Sequence, residues 1–104
     1  MMRRFASLRR RSDFTRLRHR GQVTRTTDLT IYRSAGADPK PLVGISIGKL
    51  VGGAVSRNRL RRRLQSILQT TLRESPQRVL IVPGPSAGSL SFPQLAEQLQ
   101  RALH

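Results

Sequence analysis

Cysteine is absent from the 104-residue sequence, which excludes disulfides, thiolate zinc sites and cysteine nucleophiles. Histidine is confined to His19 and His104, too few to build a metal cluster. Acidic side chains are nearly as scarce: Asp13, Asp28, Asp38, Glu74 and Glu97 are the full set. No two of them lie three or four residues apart on a helix. A metal-dependent nuclease made of protein alone gathers carboxylates around its ions, so this chain is poorly equipped for that chemistry. Rings are rare too. One Tyr and three Phe argue against an RNA-recognition sheet with several exposed aromatics on its central strands. Hydrophobic residues make up 37% of the chain, and no apolar run approaches the roughly 20 residues that span a bilayer. A chain of this length holds one core and not two, so a single domain over residues 1–104 is expected.

What the sequence has in excess is arginine. Eighteen Arg and two Lys (Lys40 and Lys49) against five acids leave a formal charge of +15. Such a chain repels itself until a polyanion relieves the repulsion. Nucleic acid or an anionic membrane surface is implied before any motif is read. Nine arginines fall in the first 25 residues. This N-terminal stretch lacks the apolar centre of a secretory signal, although its arginine and serine imitate a mitochondrial presequence. Arg9, Arg10 and Arg11 form a cluster within residues 1–11, read as a flexible basic arm that orders on RNA phosphates.

The hydrophobic periodicity gives the order of elements. Ser12 is placed to cap a short helix with Phe14 and Leu17 on one face, Asp13 in its first turn and Gly21 at its end. His19 reads as a surface or helix-end residue. From Gln22 the period becomes two: a weak strand near Gln22–Arg25, then Leu29 and Ile31 alternating with Thr30 and Tyr32. After the turn SAGADPKP comes a strand with Val43, Ile45 and Ile47 on one face. Gly44 and Ser46 on its other face allow something to approach closely. These strands suggest a three-stranded meander. Leu60, Leu64, Ile67, Leu68 and Thr71 form the apolar stripe of a long helix. The run VLIV, 79–82, is a buried strand, and the two strands flanking the long helix read as parallel neighbours joined by a crossover. The last helix begins with Ser91, Pro93 and Gln94 as a capping box and buries Phe92, Leu95, Ala96, Leu99 and Leu103. The order is α-β-β-β-α-β-α.

The densest signal is GKLVGGAVSRNRLRRRLQS, residues 48–66. Five arginines occupy the seven positions from Arg57 to Arg63. On a helical projection Arg59, Arg62 and Arg63 lie roughly opposite the leucine stripe, Arg57 and Arg61 stack along its flank, and Asn58 lies beside them. Guanidinium forks bind phosphate oxygens in pairs and stack on bases. Gly52 and Gly53 permit a tight turn into the helix. The segment is not a phosphate-binding loop of the Walker type, because no GK[ST] closes it. Ser12 and Ser56 suit caps or polar surface, and no Ser/His/Asp arrangement is visible.

With these residues in view, the sequence resembles the protein subunit of bacterial ribonuclease P. The resemblance is carried by GKLVGGAVSRNRLRRRL with its Arg57-Asn58-Arg59, by DFTRLRHRG, by GISIGK, and by VLIVPGPSAG, in the expected order over most of residues 7–103. It implies an α+β two-layer sandwich with a four-stranded mixed sheet, similar to a domain of a small-subunit ribosomal protein and with a left-handed βαβ crossover. It also implies a non-catalytic RNA-binding subunit that assists a catalytic RNA in removing the 5′ leader of precursor tRNA. Magnesium would be held mainly by RNA. The partners implied are ribonuclease P RNA and precursor tRNA with its leader, with no membrane, as a monomer within the holoenzyme in a bacterial cytoplasm.

By matching position, Arg57, Asn58, Arg59, Arg61, Arg62 and Arg63 would contact the catalytic RNA, with Lys49 and Gly52 in the segment before them. Phe14, Arg18 and Tyr32 would line the leader-binding cleft. Three positions depart from the family's pattern: Arg18 stands where a second aromatic is common, and Gln65 and Leu50 each replace a basic residue. Leader contact would then rest on charge more than on stacking. The competing reading is a small ribosomal or RNA-chaperone-like protein that binds folded RNA without a cleavage role. A DNA-binding helix ranks below it for want of a helix-turn-helix or zipper.

Overall fold

A computed structural model describes residues 4–104; the first three residues of the expected arm lie outside the described residues. Among the described residues, five strands form one mixed sheet with helices on both faces, so three layers stand where a two-layer sandwich is expected. In chain order they are β1 (Ala6–Ser7), α1 (Arg11–Arg20), β2 (Gln22–Arg25), β3 (Leu29–Ala35), β4 (Leu42–Ile45), α2 (Ala54–Thr71), β5 (Gln77–Pro83) and α3 (Phe92–Leu103). Short 3-10 turns at Lys49–Val51 and Pro85–Ser89 lead into α2 and follow β5.

The sheet order is β1-β4-β5-β3-β2. Strand β5 sits at the centre, antiparallel to β3 and parallel to β4. The parallel pairing of β4 and β5 through α2 agrees with the sequence, but the expected three-stranded meander does not form. Only β2 and β3 are hairpin neighbours, and β5 separates β3 from β4 because the apolar run VLIV takes the position buried on both faces. The four-stranded sheet is also corrected to five. Residues 5–8, expected to belong to a flexible arm, carry a strand that pairs with β4 through Ala6 opposite Leu42 and Ser7 opposite Val43. Phe5 and Leu8 are buried on either side of it. Being three apart in an extended segment, they point to opposite faces and anchor it in both layers.

Pleating divides the core in two. Leu29, Ile31, Val43, Val79 and Ile81 face α2 and α3, where they meet Leu60, Leu64, Ile67, Leu68, Leu95 and Leu99. The whole predicted stripe of α2, Thr71 included, is buried. The other face carries a smaller cluster: Leu8, Leu17 and Leu80 are buried, with Phe14, Tyr32, Leu42 and Val82 partly covered against them.

Caps and turns account for most of the local corrections. Ser91 and Gln94 form the expected capping box on α3, yet Phe92 beside it is 43% exposed rather than buried. At 100° per residue it falls on the side of Leu99 and Leu103, but as the first residue of α3 it stands at the very end of that stripe. Helix α1 starts one residue before Ser12, with Arg10 as its N-cap and no side-chain cap. Gly21 leaves that helix in extended rather than left-handed conformation. The turn between β2 and β3 is fastened from α3: Gln98 Oε1 accepts from Thr26 Oγ1 (2.7 Å) and the Asp28 amide (3.0 Å), and Gln98 Nε2 donates to Asp28 Oδ2 (2.9 Å).

Candidate nucleic-acid interface

Helix α2 is glued to the sheet along one side, and this fixes where its arginines point. Arg59, Arg61 and Arg62 are exposed, with Asn58 beside them. Arg63 is not on the outer face as expected. It is half-buried on the flank toward α3, where Nη1 donates to the Leu90 carbonyl at 3.3 Å. At 100° per residue it stands only about 80° from the centre of the apolar stripe. Arg57 lies closer still to the stripe, and its Nε is buried without a hydrogen-bond partner among the described residues. An orphaned guanidinium edge carries a desolvation cost that an incoming acceptor would relieve. Lys49 is exposed in the 3-10 turn before the helix. Gly52 follows at φ 147°, a conformation that L side chains avoid, and an added Cβ would sit 3.0 Å from Ser56 Cβ. Glycine is therefore needed at this position for the chain to swing into α2.

The opposite face holds the candidate cleft. Phe14 of α1 lies across Gly44 of β4: a Cβ there would be 2.7 Å from Phe14 Cε1 and 2.8 Å from Cζ. The small residue expected to admit something close admits this ring. Tyr32 of β3 stands in the same cluster, between Val23 on β2 and Leu80 on β5 in the register. Both rings are half-buried, so each serves as core on one side and as accessible surface on the other. Arg18 is exposed and its Nη2 donates to Ser46 Oγ at 3.2 Å. Behind them Asp13 pairs with Arg78 at 3.7 Å, on the sheet side of α1.

The two faces meet at the end of β4. Arg61 Nη1 donates to the Ile45 carbonyl at 3.4 Å from the α2 side, and Arg18 reaches Ser46 from the α1 side. Beside Arg61 lies a cavity of about 120 Å³ whose lining includes Phe5, Leu8, Phe14, Gly44 and Gln65. The convergence of Arg18 and Arg61, and the part played by Ser46, are not legible in the sequence. Their pairing depends on β4 being an inner strand reached from both layers. Arg9, Arg10 and Arg11 are exposed at the start of α1, carried on chain that β1 holds to the sheet.

Three of the five carboxylates are engaged elsewhere. Glu74 pairs with Arg4 at 2.8 Å and Glu97 with Arg101 at 2.6 Å. Asp28 accepts from Ser86 Oγ and Gln98 Nε2, and these bonds hold its pKa below the ordinary value. Among the described residues no group of three His, Asp or Glu could hold a metal ion. The donor set of the described residues does not fit a resident magnesium site.

Comparison with known proteins places this architecture. The family model described as Ribonuclease P matches residues 2–104. The ribonuclease P protein component of Acidothermus cellulolyticus is 38% identical over 100 residues, covering 92% of this chain and 83% of the relative. That of Mycobacterium tuberculosis is 33% identical over 105 residues, covering 99% and 90%. Among solved structures, the RNase P protein from Thermotoga maritima superposes with a TM-score of 0.83 at 19% identity over 99% of this chain and 96% of that one. The Staphylococcus aureus RNase P protein gives 0.81 at 19%, over 93% and 91%. At that identity the structural likeness speaks to the fold.

Proposed function

The chain belongs to the ribonuclease P protein family, and we propose that its two faces divide the work of that family's RNA-binding subunit. Membership gives the activity: it assists removal of the 5′ leader from precursor tRNA and is an enzyme only as part of the ribonucleoprotein. Arg57, Asn58, Arg59, Arg61 and Arg62, with Lys49 and Gly52 before them and Arg63 bracing the helix, dock on ribonuclease P RNA. Phe14, Tyr32 and Arg18 guide the leader as an extended strand, and Arg9, Arg10 and Arg11 add phosphate contacts. The observation that carries this reading is the meeting of Arg18 and Arg61 at the end of β4. It lets one RNA surface pass from the cleft to the arginine helix without leaving positive charge.

The protein's contribution to rate is then positional. Holding the leader fixes the scissile bond against the catalytic RNA, and the guanidinium groups lower repulsion between two polyanions. Magnesium, which the chain's own carboxylates do not suit, is assigned to RNA phosphates. The finer kinship of the fold, a left-handed crossover as in a domain of a small-subunit ribosomal protein, belongs to the same proposal, as does action as a monomer in the bacterial cytoplasm.

The test is cleavage of a leader-bearing precursor tRNA at limiting magnesium by matched ribonuclease P RNA, with and without this protein. Protein alone and a basic peptide of equal charge are the controls. Cleavage at the mature 5′ end that rises only with RNA and intact protein together supports the reading. Equal help from the peptide would sink it, and activity from protein alone would overturn the mechanism.

A further inference from the structure

Large apolar side chains are exposed at four of the described positions: Leu50 at 84%, Val55 at 72%, Phe92 at 43% and Val23 at 42%. Scattered apolar residues on a surface need no explanation. The two most exposed, however, flank the same turn, the Gly52–Gly53 bend that leads into α2. Val51 between them turns inward to pack on the core, which leaves Leu50 facing solvent. On the helix, Val55, Arg59 and Arg62 fall within about 60° of one another at 100° per residue, directly opposite the buried stripe. An aliphatic side chain thus stands in line with two exposed arginines. Lys49 adjoins Leu50, and no acidic residue lies in the first turn of α2.

We propose that Leu50 and Val55 form an apolar contact for the face of an unpaired nucleobase in the RNA that α2 docks on. The inference rests on the docking role given above to α2 and adds to it what kind of RNA feature that end of the helix reads. The surrounding charge selects the occupant. Lys49, Arg59 and Arg62, with no acidic residue in the first turn of α2, repel a second copy of this +15 chain and attract a polyanion. Guanidinium groups alone would hold phosphates of any RNA, paired or unpaired. Aliphatic side chains find an apolar surface on nucleic acid only at bases that are unstacked or splayed out. The pair therefore distinguishes folded RNA with exposed bases from a plain duplex.

The experiment measures affinity for the ribonuclease P RNA of Acidothermus cellulolyticus, and for a fully paired duplex RNA, over a range of salt. It uses the full chain, the double variant Leu50→Ser/Val55→Ser, and Arg59→Gln. Both apolar positions are exposed, so the double variant should melt as the parent does. It is expected to lose roughly tenfold in affinity for the folded RNA and none for the duplex, with an unchanged salt dependence, because no counterion is released by an apolar contact. Arg59→Gln should instead reduce the salt slope by up to about one unit on both RNAs. If the double variant binds like the parent while Arg59→Gln weakens binding, the apolar contact is wrong and the docking role of α2 stands. If neither changes binding, that docking role fails as well. Equal loss on folded and duplex RNA, or self-association of the parent that the double variant abolishes, would also overturn the proposal.

Discussion

Among the described residues, α2 and α3 enclose a cluster of sixteen buried side chains on one face of the sheet, whereas on the other α1 buries only Leu8, Leu17 and Leu80 and leaves Phe14 and Tyr32 half-covered. The difference is one of division of labour. The closed layer holds the fold, and it presents its arginines on the outside of α2, away from the packing. In the function proposed above, the open layer would use its own packing surface for recognition, with the side chains that complete the small cluster as the ones an RNA strand touches. Substitutions in the closed layer should act on stability first. Those in the open layer should act on leader recognition at a modest stability cost.

The strongest way to break this contrast is Leu64→Ala. Leu64 is fully buried in the closed layer, and its truncation should cost about 2–5 kcal/mol in chemical denaturation. RNA affinity of the molecules that remain folded should be unchanged; a selective loss of leader affinity would place function in the wrong layer. Gly44→Ala comes next. The added methyl collides with the edge of the Phe14 ring, and displacing the ring should cost about 1–3 kcal/mol. Its signature is a reduced preference for leader-bearing over leaderless precursor tRNA, with affinity for ribonuclease P RNA retained.

Arg62→Gln sharpens the comparison from the outside of α2. As an exposed change it should move stability by no more than about 0.5 kcal/mol. Affinity for ribonuclease P RNA should fall with a salt slope smaller by up to about one unit. Leader preference should survive, the reverse of Gly44→Ala. The smallest effect is Asp28→Asn. Because hydrogen bonds from Ser86 and Gln98 lower the Asp28 pKa below its ordinary 3.8, the carboxylate adds stability above that pH, and the contribution is lost as pH falls through the lower folded value. The parent should be slightly the more stable near neutrality, and the gap should close in acid. A gap independent of pH would show that the bonds to Ser86 and Gln98 do not depend on the charge.

Legibility in the sequence followed the range of the interactions. The α2 stripe, the capping box at Ser91 and Gln94, and the small face of β4 at Gly44 each depend on residues within a few positions, and each is present in the structure. The strand order could not be read, since the seating of β5 between β3 and β4 is decided by which apolar run is buried twice over. Strand β1 leaves no mark in the sequence because two residues, Ala6 and Ser7, offer no period, and the arginines around them read as an unanchored tail. Arg63, about 80° from the centre of the stripe, belongs to the flank of α2 and not to its outer face, and the Leu90 carbonyl accepts from it there. The convergence of Arg18 and Arg61 joins positions 43 residues apart through a third element, for which no local pattern exists.

The central position of β5 has a consequence for how the chain comes to be assembled. Synthesis runs from the N-terminus, so β3 is finished with only β2 beside it and β4 with only the two-residue β1. The strand that joins the halves is not complete until residue 83. Until then two apolar strand edges stand open, the condition in which nascent sheets aggregate. Most of the chain's arginines have been made by that point, and their mutual repulsion keeps one unfinished copy away from another. The same charge that later holds RNA thus protects the protein before it has a fold.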